Sequence, residues 1–209
     1  SLWLIRSYVE KQNFITAELE LGELENEIKF PKDLNIELAT VAADFYLQQG
    51  NYPLALEQLS RVDKLTKRKR KKVRYNYIMA QIYQYNNNYK SAKKKYKQVL
   101  KSNPEYEMVF NAKMNLAQSL EAGSRDVDKM RKQLLKMTKD DKNKEYLDQI
   151  YFTLAEMDIN NSDTSSAVNN YKLSTINSVI NNSQKSLSFL ALAKIDFNRA
   201  LYRSSKIHY

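Results

Sequence analysis

The sequence contains no cysteine, a single histidine, and only three glycines and three prolines among its 209 residues. Without cysteine there can be no disulfide, no thiolate nucleophile and no thiolate metal site. A Ser-His-Asp triad, or a metal site with an imidazole ligand, would depend on His208 alone. Gly22, Gly50 and Gly123 are too scattered to build a glycine-rich phosphate loop. So few glycines and prolines also leave hairpin-rich β architectures short of turn residues, which favours helices. No run approaches the roughly 18 to 20 apolar residues of a membrane-spanning helix. The opening SLWLIRSYVEKQ carries charge by Arg6 and lacks the form of a signal peptide. It begins inside a helical pattern, so the chain reads as a fragment of a longer protein, with any export signal lying upstream.

What is present suffices for a continuous core: 43% of residues are apolar, and 28% charged is ordinary for a soluble protein. The net charge of +10 is unevenly placed. Residues 1–66 carry net −5, residues 67–101 carry +13 with no acid among them, and the remainder is nearly balanced.

Self-comparison reveals a repeat. From Val73 to Tyr106 the chain reads Ala80-Gln81-Ile82-Tyr83, a break at Asn86-Asn87-Asn88, then Ala92 and Tyr96, and Pro104 eight residues further on. This is the spacing of the 34-residue tetratricopeptide (TPR) helix-turn-helix. Small residues at Ala80 and Ala92 let two antiparallel helices approach, and Tyr83 and Tyr96 fill the space beside them. The first-helix alanine recurs at Ala43, Ala80, Ala117, Ala155 and Ala193, with Ile5 in register before them. The second-helix alanine recurs at Ala17, Ala55, Ala92 and Ala167, with Lys129 (next to Met130) and Ser205 in the equivalent slots of degenerate repeats. Turns are predicted at Gln49–Pro53, Asn86–Tyr89, Ala122–Ser124 and Asn160–Asp163, where Gly and Asn tolerate left-handed backbone and Ser or Asp caps the next helix. The fold expected is an all-α TPR superhelix of about six hairpins, near residues 1–31, 34–66, 67–103, 104–140, 142–180 and 183–209. Stacked hairpins bury their cores against neighbours, so one array without a linker is expected.

Four segments, RYNYIMAQIYQ (74–84), NPEYEMVFNAKMNLA (103–117), KNKEYLDQIYFTLAEM (142–157) and QKSLSFLALAKIDF (184–197), resemble the TPR-containing lipoprotein of the Bacteroidota type IX secretion and gliding machinery, the SprE/PorW type. The resemblance implies a periplasmic scaffold, anchored in the outer membrane, that links other subunits of the machine and carries no catalytic residues. It also implies a lipidated N-terminal cysteine, which this fragment does not contain; the membrane would be reached through that anchor only. Without the resemblance the chain reads as a cytoplasmic adaptor or regulator.

No catalytic, cofactor or metal site is expected. The acid pairs Asp126/Asp128 and Asp140-Asp141 flank predicted helix starts, where carboxylates favour the positive end of the helix dipole. Many of the 15 tyrosines fall at repeat positions and read as core, including Tyr8, Tyr46, Tyr83, Tyr96 and Tyr171. Arg74, Tyr77, Gln81 and Tyr85 occupy first-helix positions that line the concave groove of TPR arrays, as do Gln118 and Phe152 in later repeats. Arg, Tyr and Gln together would suit an extended peptide; packing between hairpins is the competing reading. Related positions, from Glu37, Thr40 and Asp44 to Leu187 and Leu190, make the predicted lining vary from acidic through basic-aromatic to apolar, which favours a particular protein surface.

The basic run Lys67, Arg68, Lys69, Arg70, Lys71 and Lys72 falls at the junction of hairpins two and three. Lys90, Lys94, Lys97 and Lys101 form one face of the next helix. Cations at a helix N-terminus oppose its dipole, so local helix stability does not explain them. They read either as a solvated face or as a dock for an acidic protein; nucleic acid is the less favoured partner.

Overall fold

The computed structural model of the chain describes residues 1–198 and residue 207. Among these, every regular element is helical: α1 (Leu2–Glu10), α2 (Phe14–Glu25), α3 (Asn35–Gln48), α4 (Tyr52–Leu65), α5 (Lys69–Tyr85), α6 (Tyr89–Lys101), α7 (Tyr106–Gln118), α8 (Arg125–Met137), α9 (Leu147–Asn160), α10 (Thr164–Asn177) and α11 (Asn182–Asn198). Short 3-10 turns, Lys32–Leu34 and Asp141–Tyr146, precede α3 and α9. None of these helices is long and apolar enough to cross a membrane. The architecture is all-α, built of TPR-type helical hairpins. Ser205 and His208 lie outside the described residues.

One turn design recurs. In four hairpins three residues join the helices: the middle one has positive φ (Gln12, Gly50, Asn87, Ser162) and the third caps the next helix (Asn13, Asn51, Asn88, Asp163). Each cap side chain accepts a bond from the backbone N–H three residues on, at 3.0 to 3.4 Å. Its own N–H donates back to a carbonyl of the previous helix, those of Tyr8, Tyr46, Tyr83 and Asp158. These bonds satisfy groups that both helix ends would otherwise leave unpaired, and each cap is worth about 1 kcal/mol. The alanine four residues after each cap, Ala17, Ala55, Ala92 or Ala167, has no exposed surface, so the turn sets the register in which the helices meet. The partner alanines Ala43, Ala80, Ala117, Ala155 and Ala193 are equally buried.

The fourth hairpin departs from this design, and the structure corrects the register expected there. Six residues, 119–124, join α7 to α8 instead of three. Lys129 is exposed, whereas Met130 is buried and starts the same small-x3-large pattern with Leu134. The longer turn moves the inward face by one residue, so a flexible Met fills a slot held by Ala elsewhere.

The chain forms two compact units, Ser1–Val109 and Phe110 onward, with the boundary inside α7. No change of composition or glycine marks it. In the first, Leu2, Ile5 and Val9 of α1, Ala17 and Leu21 of α2, and Leu38, Val41 and Phe45 of α3 share one core. A second core joins Ala43, Leu59, Met79 and Ile82, from α3, α4 and α5. The second unit packs Ala155, Ala167, Tyr171, Leu192 and Ile195, from α9, α10 and α11.

Candidate functional site

In the first unit, residues of α1, α3, α4 and α5 line a groove of about 340 Å3. Its lining comes from α1 (Arg6), α3 (Thr40, Val41, Ala43, Asp44, Leu47) and α5 (Lys71, Arg74, Tyr75, Ile78), with Leu59 of α4 in the floor. Val41, Ala43 and Leu59 are buried, so the floor is apolar. The rim holds three cations, Arg6, Lys71 and Arg74, against one carboxylate, Asp44. Arg6 is engaged: a guanidinium nitrogen lies 3.3 Å from Glu37 Oε1, and the group sits 5.6 Å from the Trp3 ring centre. Burial raises the Asp44 carboxyl above its ordinary range, and Glu10 adds to the effect, while Arg6 opposes it. Lys71 and Arg74 project exposed from adjacent turns of α5.

The residues singled out from sequence divide by helix face. Lys71, Arg74, Tyr75 and Ile78, at i, i+3, i+4 and i+7, form the groove wall, and Gln81 and Tyr85 are exposed further along that side of α5. The Tyr85 ring meets that of Tyr52 in α4 at 5.0 Å, the two tilted by 57°. Tyr77 lies three residues before Ala80 and shares the face directed at α6, where its ring meets Tyr96 edge-on at 5.9 Å. Phe152 repeats this contact with Tyr171 at 5.5 Å, three residues before Ala155. Both aromatic rings therefore pack within their own hairpins. Gln118, like Phe152, belongs to the second unit and is half-buried. Of the lining, sequence reasoning placed Thr40, Asp44 and Arg74 in the groove and missed the apolar floor, Arg6, Lys71, Tyr75 and Ile78; an i, i+3, i+4, i+7 reading of α5 started at Lys71 would have found three of them.

The basic residues also divide. Lys67 and Arg68 lie in the connection before α5, and Lys69 to Lys72 form its first turn. Arg70 reaches Glu105, just beyond α6, at 2.6 Å, with both side chains largely exposed. Lys90, Lys94, Lys97 and Lys101 are exposed along α6, opposite the buried Ala92, Tyr96 and Val99. Lys95, not singled out from sequence, turns inward instead. Its ammonium donates to Asn76 Oδ1 at 2.7 Å, and Asn76 Nδ2 donates to Asp63 Oδ1 at 3.2 Å, tying α6 to α5 and α4. Desolvation pulls the Lys95 ammonium below its usual range, and Lys94 adds to this while Asp63 opposes it.

In the second unit the buried polar groups act as fasteners. Asp158, without exposed surface, pairs with Arg131 of α8 and accepts from Asn170 of α10 at 2.7 Å. The Tyr171 hydroxyl donates to Glu156; burial, then that bond and that charge, push the phenol well above its ordinary value. Ser174 joins Ser188 at 2.8 Å and donates to the Asp148 carbonyl at 2.7 Å. Asp126 and Asp128 occupy the first turn of α8, and Asp140 caps the turn before α9 by accepting from Lys142 N–H at 3.1 Å.

No protein-family model matches the chain, and no curated protein matches it. Among solved structures it is similar to the apo form of RapI, with a TM-score of 0.67 and 15% sequence identity. The match covers 97% of this chain and 58% of the RapI chain, so this chain spans a little over half of that neighbour's length. At that identity the likeness establishes the fold, an array of helical hairpins.

Proposed function

We propose that the chain is a non-enzymatic scaffold of helical hairpins that binds protein, and that the groove of its first unit takes an extended partner segment combining apolar and acidic side chains. The observation that carries this reading is the lining: an apolar floor of Val41, Ala43 and Leu59 beside the exposed cations Lys71 and Arg74. Apolar burial supplies affinity there, and charge supplies orientation and partner choice. The test is fluorescence anisotropy with a labelled peptide alternating Glu and Leu, set against one alternating Lys and Leu. The acidic peptide should bind, and Lys71→Glu/Arg74→Glu should weaken it by about tenfold or more. Equal binding of both peptides, or an unaffected variant, overturns the reading.

The finer reading is a periplasmic, outer-membrane-anchored subunit that links components of the type IX secretion and gliding machinery. Its support is the resemblance of the four segments. Disrupting the gene in its own bacterium should abolish export of proteins bearing the type IX signal; unchanged export sinks it. A cytoplasmic adaptor using residues 67–101 is the second reading, favoured by the exposed lysines of α6. Binding of a DNA duplex that falls steeply with salt would support a nucleic-acid role for it.

A further inference from the structure

We infer that the lysine face of α6 docks onto α2 of a second copy of this chain. The two helices have opposite charge. α2 contains Glu18, Glu20, Glu23 and Glu25 and no cation, and Glu27 follows it. Glu18, Glu23, Glu25 and Glu27 are exposed, and beside them stand two exposed apolar side chains, Ile15 at 77% and Leu19 at 66%. α6 contains six lysines and no acid, and Lys90, Lys94, Lys97 and Lys101 face outward. At 1.5 Å per residue the lysine stripe runs about 16 Å, and the acids within α2, from Glu18 to Glu25, span about 10 Å, so the two overlap over about two turns.

Neither stripe can neutralise the other within one molecule. α2 packs on α1 and α3, α6 packs on α5, and the hairpin of α3 and α4 stands between. In a second molecule the lysine stems can cover Ile15 and Leu19 while their ammonium groups reach the glutamates. Neither stripe lines the groove, so this contact leaves the groove open. Because the donor and acceptor faces differ, each molecule keeps one of each after pairing, and association proceeds head to tail.

Sedimentation velocity of the 209-residue chain tests this. At about 20 mM salt the chain should associate with rising concentration, and at about 300 mM the apparent Kd should weaken by about tenfold or more, because exposed charges are then screened. Lys90→Glu/Lys94→Glu and Glu18→Lys/Glu23→Lys should each be monomeric alone, and an equal mixture should associate again, since each reversed face then meets a reversed partner. The reversals at Lys90 and Glu23 favour their helix dipoles, so lost association would not reflect a lost helix; circular dichroism checks this. A wild-type chain that is monomeric at low salt overturns the proposal, as does association indifferent to salt or to either reversal. Binding of a DNA duplex by a monomeric wild-type chain would make α6 a polyanion site instead, and would also overturn it.

Discussion

Asn76 shows how much one side chain can carry. It is 9% exposed, accepts from Lys95, and donates to Asp63 and to the Lys72 carbonyl, so three helices meet at one amide. Truncating it leaves a half-buried ammonium without its acceptor and a carboxylate without its donor. Asn76→Ala should therefore cost about 2 to 3 kcal/mol in urea unfolding, against about 1 for Lys95→Met, which keeps the stem packing. Equal losses would mean that the chain of bonds is not coupled. Tyr171 gives a pH signature. Its phenol titrates above the ordinary value of 10.0 in the folded state, so the stability it contributes is fully present below pH 10 and is lost as pH rises beyond it. The loss should approach about 1.4 kcal/mol per pH unit, and Tyr171→Phe should remove that slope while costing about 1 kcal/mol at neutral pH. Urea midpoints at pH 8, 10 and 11, three conditions bracketing the ordinary tyrosine value, decide it.

Among the elements, α8 separates sequence register from packed register. Counting twelve residues from Ala117 places Lys129 in the small slot, but the six-residue turn makes Met130 the buried residue. Met130→Ala should cost about 2 kcal/mol or more through the cavity it leaves, and Lys129→Ala should stay within about 0.5. The reverse order would restore the simple count. Asn13, Asn51 and Asn88 cap helices although the sequence reading puts asparagine at the left-handed position, whereas the alanine periodicity and the Asp163 cap were legible because each has a purely local cause: close helix approach, or an unpaired N–H. The inward turn of Tyr77 and Phe152 was not, since a ring three residues before a buried alanine is claimed by whatever the partner helix presents, here Tyr96 and Tyr171.

For the whole molecule, charge is the property with reach. A chain of net +10 with a cationic groove rim should steer an acidic peptide toward itself. Raising salt from about 50 to about 300 mM should slow association several-fold and leave dissociation less changed, as stopped-flow mixing can measure. A slowdown confined to dissociation would remove steering from the account. The sequence by itself determined the class of fold, the hairpin period, the turn chemistry and the concentration of positive charge in residues 67–101. These depend on spacing and composition along the chain, which one dimension preserves. Only the tertiary structure decided that the groove wall of α5 starts at Lys71, that Lys95 turns inward to Asn76, that Arg70 meets Glu105, and that a compact unit ends within α7. Each of these depends on which surfaces of separate helices come together, and no spacing along a single helix records its neighbours.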